Sequence, residues 1–136
     1  INLNINLKKR GHFQPLAPIL LEEDFQKYFS INKSVVKNLE WMGTLCDAKQ
    51  TLYNKYSSII HVDGTCRTQI IKDKNSITYK ILKNIKNYGS DILVNTSFNI
   101  SKDPVVFDLF DVYVNMKRMK IKFILMDDGL YQTKDV

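Results

Sequence analysis

No hydrophobic run in this 136-residue chain is long enough to cross a bilayer. The longest, such as Pro18–Leu21 and Ile121–Met126, fall far short of the ~20 residues that a spanning helix needs. The amino terminus lacks the basic-then-apolar pattern of an export leader, so a cytoplasmic setting is expected and no membrane partner. Cysteine is scarce. Cys46 and Cys66 stand alone, without a CxxC pair or a histidine at ligand spacing, which favours buried structural thiols over a disulfide or a metal site. Internal repeats and low-complexity tracts are missing as well, which excludes solenoids and flexible linkers.

What remains is an ordinary globular balance, 44% hydrophobic and 25% charged, in a length that supports one compact domain with a real core. Twenty Lys and Arg against fourteen Asp and Glu leave a formal charge of +6, which favours anionic partners: a nucleotide, a phosphate or a nucleic acid. Part of that charge is expected to be solvated surface, since Lys80, Lys83 and Lys86 fall on one helical face.

Along the chain, residues 1–7 alternate Ile or Leu with Asn, the pattern of a half-buried strand that starts without a lead-in, as in a segment of a longer protein. Lys8–Pro18 is broken by Gly11, Pro15 and Pro18 and reads as turn. A helix is expected over Leu20–Phe29, with Glu22, Glu23 and Asp24 in its first turn. Leu39–Cys46 reads as a strand anchored in the core by Trp41, and Gln50–Tyr56 as a connection. Ser58–Val62 and Cys66–Lys72 are β-prone runs around Asp63-Gly64-Thr65, either a hairpin or two strands with a functional bend. A helix over Ile77–Tyr88 should stop at Gly89, and Asp91–Thr96 should form a short buried strand. Asp108–Met119 reads as a last helix, and Ile121–Met126 as a last strand that returns through Asp127-Asp128-Gly129. Alternating strands and helices with a hairpin predict an α/β fold with a twisted, mixed parallel and antiparallel open sheet and flanking helices.

Three constellations carry chemistry. Lys8-Lys9-Arg10 sits where a strand is expected to end, and on a strand Lys8 and Arg10 would share a face and clamp one phosphate; the plain alternative is a solvated basic turn. His61-Val62-Asp63-Gly64-Thr65-Cys66-Arg67 gathers an imidazole, a carboxylate, a hydroxyl and a guanidinium around a turn, although Asp63 could simply cap its own backbone. Asn95-Thr96-Ser97-Phe98-Asn99 places amides and hydroxyls after a strand, able to bond phosphate oxygens or to satisfy the chain locally.

Together with Phe13–Pro18, Leu21-Glu22-Glu23 and Asp103-Pro104-Val105-Val106, these motifs resemble, in order and spacing, the NodU/CmcH-type O-carbamoyltransferases that decorate nodulation factors, cephamycins and aminoglycosides. The resemblance runs from about Asn4 to about Met126 and implies that family's carboxy-terminal domain, with the YrdC-like fold. There, Lys8-x-Arg10 and Ser97-x-Asn99 match a Lys-x-Arg and a Ser-x-Asn pair. It implies that carbamoyl phosphate and ATP, the latter with Mg, are joined as carbamoyl-adenylate. An amino-terminal domain holding iron, absent from this chain, then passes the carbamoyl group to a small-molecule hydroxyl. On this resemblance Lys8, Arg67 and Ser97 are the expected catalytic residues. Arg10, His61, Asp63, Gly64, Thr65, Asn95, Thr96 and Asn99 are the expected substrate and nucleotide contacts. Nucleic acid is not the expected partner; a non-catalytic nucleotide- or RNA-binding module of the same fold is the alternative reading. Two departures stand out: Gln14 replaces the family's usual Arg, and the Gly-Pro-Arg-Ala-Leu-Gly-Asn-Arg-Ser block upstream of Asn4 is missing.

Overall fold

A computed structural model describes residues 3–11 and 13–134, which form two compact units. One contains Pro15–Thr96; the other combines the chain up to Gln14 with the chain from Ser97 onward.

The Pro15–Thr96 unit is mixed α/β. Strand β1 (Ala17–Leu21) lies between β5 (Gln69–Ile71), which runs parallel to it, and β6 (Leu93–Asn95), which runs antiparallel. The expected turn through Pro18 is therefore the start of a central strand. Pro18 is tolerated there because it pairs only with Val94 of β6, while pairing with β5 begins at Ile19, so no second neighbour needs its missing N–H. Helices α1 (Glu22–Tyr28) and α3 (Ile77–Ile85) flank this sheet. A second, antiparallel sheet joins β2 (Phe29–Ser30), β3 (Cys46–Ala48) and β4 (Thr65–Cys66), with α2 (Gln50–Tyr56) between β3 and β4 in sequence. The core contains Leu20, Phe25, Tyr28, Phe29, Leu39, Leu52, Ile70 and both cysteines, with Phe25 stacked on Phe29 at 5.4 Å. Burial pushes the Cys66 thiol up to about 12 and raises that of Cys46, as expected of structural rather than reactive thiols.

Other expectations fail in this unit as well, among them Gln50–Tyr56, which is helix α2 and not a plain connection. Residues Lys33–Trp41 form a 3-10 helix instead of leading a strand. The Asn32 side chain accepts from Ser34 N, and Met42 closes the helix in a left-handed conformation. Leu39 is the buried residue, and Trp41 is 83% exposed instead of anchoring the core. The β-prone runs around Asp63–Thr65 do not form a hairpin: Ser57–Ile59 is a 3-10 turn, Thr65–Cys66 pairs with β3, and Gln69–Ile71 pairs with β1. The tight turn itself is present, and so is the stop at Gly89 (φ 80°) after α3 and its short 3-10 extension.

In the other unit, helix α4 (Leu109–Met119) begins where the Asp108 carboxylate accepts from Asp111 N and Asp111 accepts from Phe107 N, reciprocal capping that fixes its start. The hairpin β7 (Phe123–Met126) and β8 (Gly129–Gln132) follows. The expected amino-terminal strand is absent from its described part: Leu3–Leu7 is one π-helical turn, while Ile1 and Asn2 lie outside the described residues. Every polar position of that alternation is Asn, which is poor in strands and competes through its own side chain. Asn4 does this, donating to Gln14 O at 2.6 Å and accepting from Arg10 Nε at 2.8 Å. Among the described residues, no helix is long and apolar enough to cross a membrane.

Candidate functional site

The Lys8 side chain reaches across 89 residues of sequence to the Ser97–Asn99 loop. Lys8 is only 3% exposed. Its ammonium donates to the main-chain oxygens of Ser97 and Asn99, and lies 3.1 Å from Asn99 Oδ1 and 3.3 Å from Ser97 Oγ. The loop is braced from the other side as well. Ser97 Oγ donates to Asn99 Oδ1 at 2.5 Å, Asn99 Nδ2 donates to Asp103 O at 2.7 Å, and Ser101 N donates to Lys8 O at 2.8 Å.

This ammonium has no carboxylate partner among the described residues, and its closest charged influence is repulsive. Burial lowers its pKa, and the guanidinium of Arg10 lowers it further. Arg10 is itself half-buried against Asn4. The two cations do not share a strand face as expected, because residues 8–10 are not a strand and Lys9 is left-handed (φ 51°). Buried charges are normally paired, so a buried, unneutralised cation with a second cation nearby is an arrangement that an incoming anion would stabilise. Asp103, missed at the sequence level as a brace, holds the far side of the loop through Asn99 and through a 2.7 Å ion pair with Arg118.

The His61–Arg67 turn belongs to the Pro15–Thr96 unit. Gly64 has φ 82°, a left-handed conformation that favours glycine at this turn, and a Cβ on it would lie 2.9 Å from the hydroxyl at the tip of the partly exposed Tyr53. Thr65 donates through its hydroxyl (2.7 Å) and its amide (3.0 Å) to Asp63 Oδ1, and both bonds hold the Asp63 carboxyl below its ordinary range. His61 Nδ1 is 3.1 Å from the same Thr65 hydroxyl. Arg67 is exposed, and its side chain has no hydrogen bond or ion pair among the described residues. Asn95 is committed to the sheet: its amide donates to Gln69 Oε1 at 3.3 Å, and Gln69 donates in turn to Glu40 O at 3.1 Å. Thr96 is half-buried. A cleft of about 480 Å³ between α4 and the β7–β8 hairpin, lined by residues such as Tyr113, Met116, Met126 and Tyr131, contains none of the expected site residues.

Residues 1–133 match the family model described as the carbamoyltransferase C-terminus. The chain belongs to the carbamoyltransferase family as its carboxy-terminal domain. Nodulation protein NolO of Bradyrhizobium diazoefficiens is 33% identical over 111 residues, covering 80% of this chain and 20% of that protein. Nodulation protein U of Rhizobium tropici is 31% identical over 96 residues, 69% of this chain and 16% of its own length. The 3'-hydroxymethylcephem-O-carbamoyltransferase of Amycolatopsis lactamdurans is 24% identical over 128 residues, 93% of this chain and 24% of its own length. The chain thus spans roughly a fifth of the length of these relatives.

Proposed function

We propose that this domain forms carbamoyl-adenylate from carbamoyl phosphate and ATP, for transfer to a hydroxyl of a small-molecule acceptor. The observation that carries the reading is the buried, unneutralised Lys8 ammonium tied to the Ser97–Asn99 loop in a member of this family. Water divides carbamoyl phosphate into carbamate and phosphate. A carbamate oxygen then attacks the α-phosphorus of ATP, whose bond to the bridging oxygen breaks, and pyrophosphate leaves. Negative charge builds on phosphoryl oxygens throughout, so positioned cations and hydrogen-bond donors supply the main stabilisation.

In this reading Lys8 changes character from the sequence-based expectation. Its donors are spent on loop oxygens, so it positions the Ser97–Asn99 loop and supplies fixed positive potential instead of gripping a phosphate alone. The exposed Arg67 provides a planar donor fork for phosphate. A magnesium ion would come with the triphosphate, bound chiefly by its phosphate oxygens. A YrdC-like fold is part of the same proposal, as is an amino-terminal domain that carries the iron and the acceptor. Lys8 and Arg10 would equally suit a module that binds nucleotide without reaction.

The test is carbamoyl-phosphate-dependent exchange of pyrophosphate into ATP by the full-length protein. Exchange that is lost in Arg67→Ala and in Ser97→Ala supports adenylate formation. ATP binding without exchange selects the non-catalytic module, and neither binding nor exchange overturns the reading.

A further inference from the structure

The His61–Thr65–Asp63 contacts contain a proton-counting constraint. The Thr65 hydroxyl has one proton, and at 2.7 Å it goes to the ionised Asp63 carboxylate, the stronger acceptor. Its oxygen can then only accept from His61 Nδ1, 3.1 Å away, so Nδ1 must carry the imidazole proton. The main chain reinforces the orientation: His61 N donates to Thr65 O at 2.8 Å, and Gly64 N donates to His61 O at 3.0 Å. A neutral imidazole protonated at Nδ1 leaves Nε2 as a bare acceptor, and no described residue donates to it.

We infer that Asp63 and Thr65 fix His61 as the Nδ1–H tautomer, and that Nε2 accepts a hydrogen bond from an amino N–H of a substrate. This rests on the proposed function, whose two substrates supply two such groups: the carbamoyl NH2 and the adenine 6-amino group. Carboxylates, phosphates and carbonyls offer Nε2 nothing, because they carry no donor. Sites built to bond an N–H reject analogues that lack it by up to about 10⁴–10⁵-fold, so His61 would be a specificity-determining residue. Thr65 and Asp63 are positioning residues that act through it.

The test is nitrogen NMR on protein labelled with 15N-histidine, with His61→Gln identifying the His61 signals. The inference predicts, for the neutral ring, a protonated Nδ1 and an unprotonated Nε2, with Thr65→Val shifting the population towards Nε2–H. A protonated Nε2 in the unsubstituted protein overturns it. Adding carbamoyl phosphate beside acetyl phosphate, and ATP beside purine riboside triphosphate, which keeps the ribose hydroxyls but has no N–H on its base, identifies the donor: only the partner bearing the N–H should move the Nε2 resonance. In His61→Phe, discrimination within the same pair of substrates should collapse in the exchange assay. An unmoved Nε2 in a protein that does exchange pyrophosphate overturns this inference alone. A protein that neither binds nor exchanges overturns the proposed function together with it.

Discussion

Asp91 and Lys8 are both buried charges, at 6% and 3% exposure, but they are held in opposite ways. Asp91, in the Pro15–Thr96 unit, is neutralised on all sides: Lys27 lies at 2.7 Å, Lys55 at 3.6 Å, and the hydroxyls of Tyr28 and Tyr56 both donate to it at 2.8 Å or less. Burial pushes its pKa upward, but Lys27 and the two tyrosines more than offset this and hold the carboxyl well below the usual carboxylate range. Lys8 has oxygens around it but no carboxylate among the described residues, and its pKa is lowered. The first charge is cancelled within the fold and fastens helices α1 and α2 to the strand side of the core. The second leaves positive potential unspent, which is what a site for an anion requires. Burial of a charge therefore does not separate structure from function here; the presence of a counter-charge does.

The sharpest way to break this comparison is to remove the cancelled charge. Asp91→Ala should cost about 3 kcal/mol of stability, since it strands two tyrosine hydroxyls and frees Lys27, while leaving ATP affinity unchanged where the protein remains folded. Denaturant unfolding beside ATP titration checks both halves. On the other side, Gln14→Arg supplies, at an exposed side chain, the charge that the family resemblance leads one to expect there, and should tighten ATP binding roughly tenfold, the size of one added charge-assisted contact. Acid should sharpen the contrast further. Because the folded pKa of Asp91 is depressed, its stabilisation is complete above the unfolded value near 3.8 and is lost as pH falls through the lower folded value. Thermal melts from pH 5 downward should therefore fall more steeply in the unsubstituted protein than in Asp91→Asn. The smallest effect concerns the thiols: Cys46 and Cys66 should resist thiol reagents in the native protein and react fully only on unfolding.

Much of the fold could be read locally. The stop after α3 could be read from Gly89 and the final hairpin from Asp127-Asp128-Gly129, because such turns depend on neighbours in sequence. Strand β1 was hidden by Pro15 and Pro18, whose breaking effect is cancelled only by one-sided pairing that no local pattern encodes. Trp41 misled for a related reason: the 3-10 geometry of Lys33–Trp41 buries Leu39 and turns the larger apolar side chain outward. The Asp91 node was invisible in sequence, since Lys27 and Tyr28 lie 64 and 63 residues away and Tyr56 lies 35 away. Lys8 with Ser97 and Asn99 is equally remote, and was legible only because the motifs resembled a family that pairs them. The His61–Thr65–Asp63 chain lies within five residues, yet sequence gave its members without the direction of the protons.

ATP affinity in Lys8→Met tests the unspent charge of Lys8 directly. Calorimetric titration of the full-length protein at fixed salt, with a melting curve to establish that the variant is folded, should show ATP binding weakened by about ten- to a hundredfold. Unchanged affinity in a folded Lys8→Met protein would contradict the claim that this buried ammonium serves an anion.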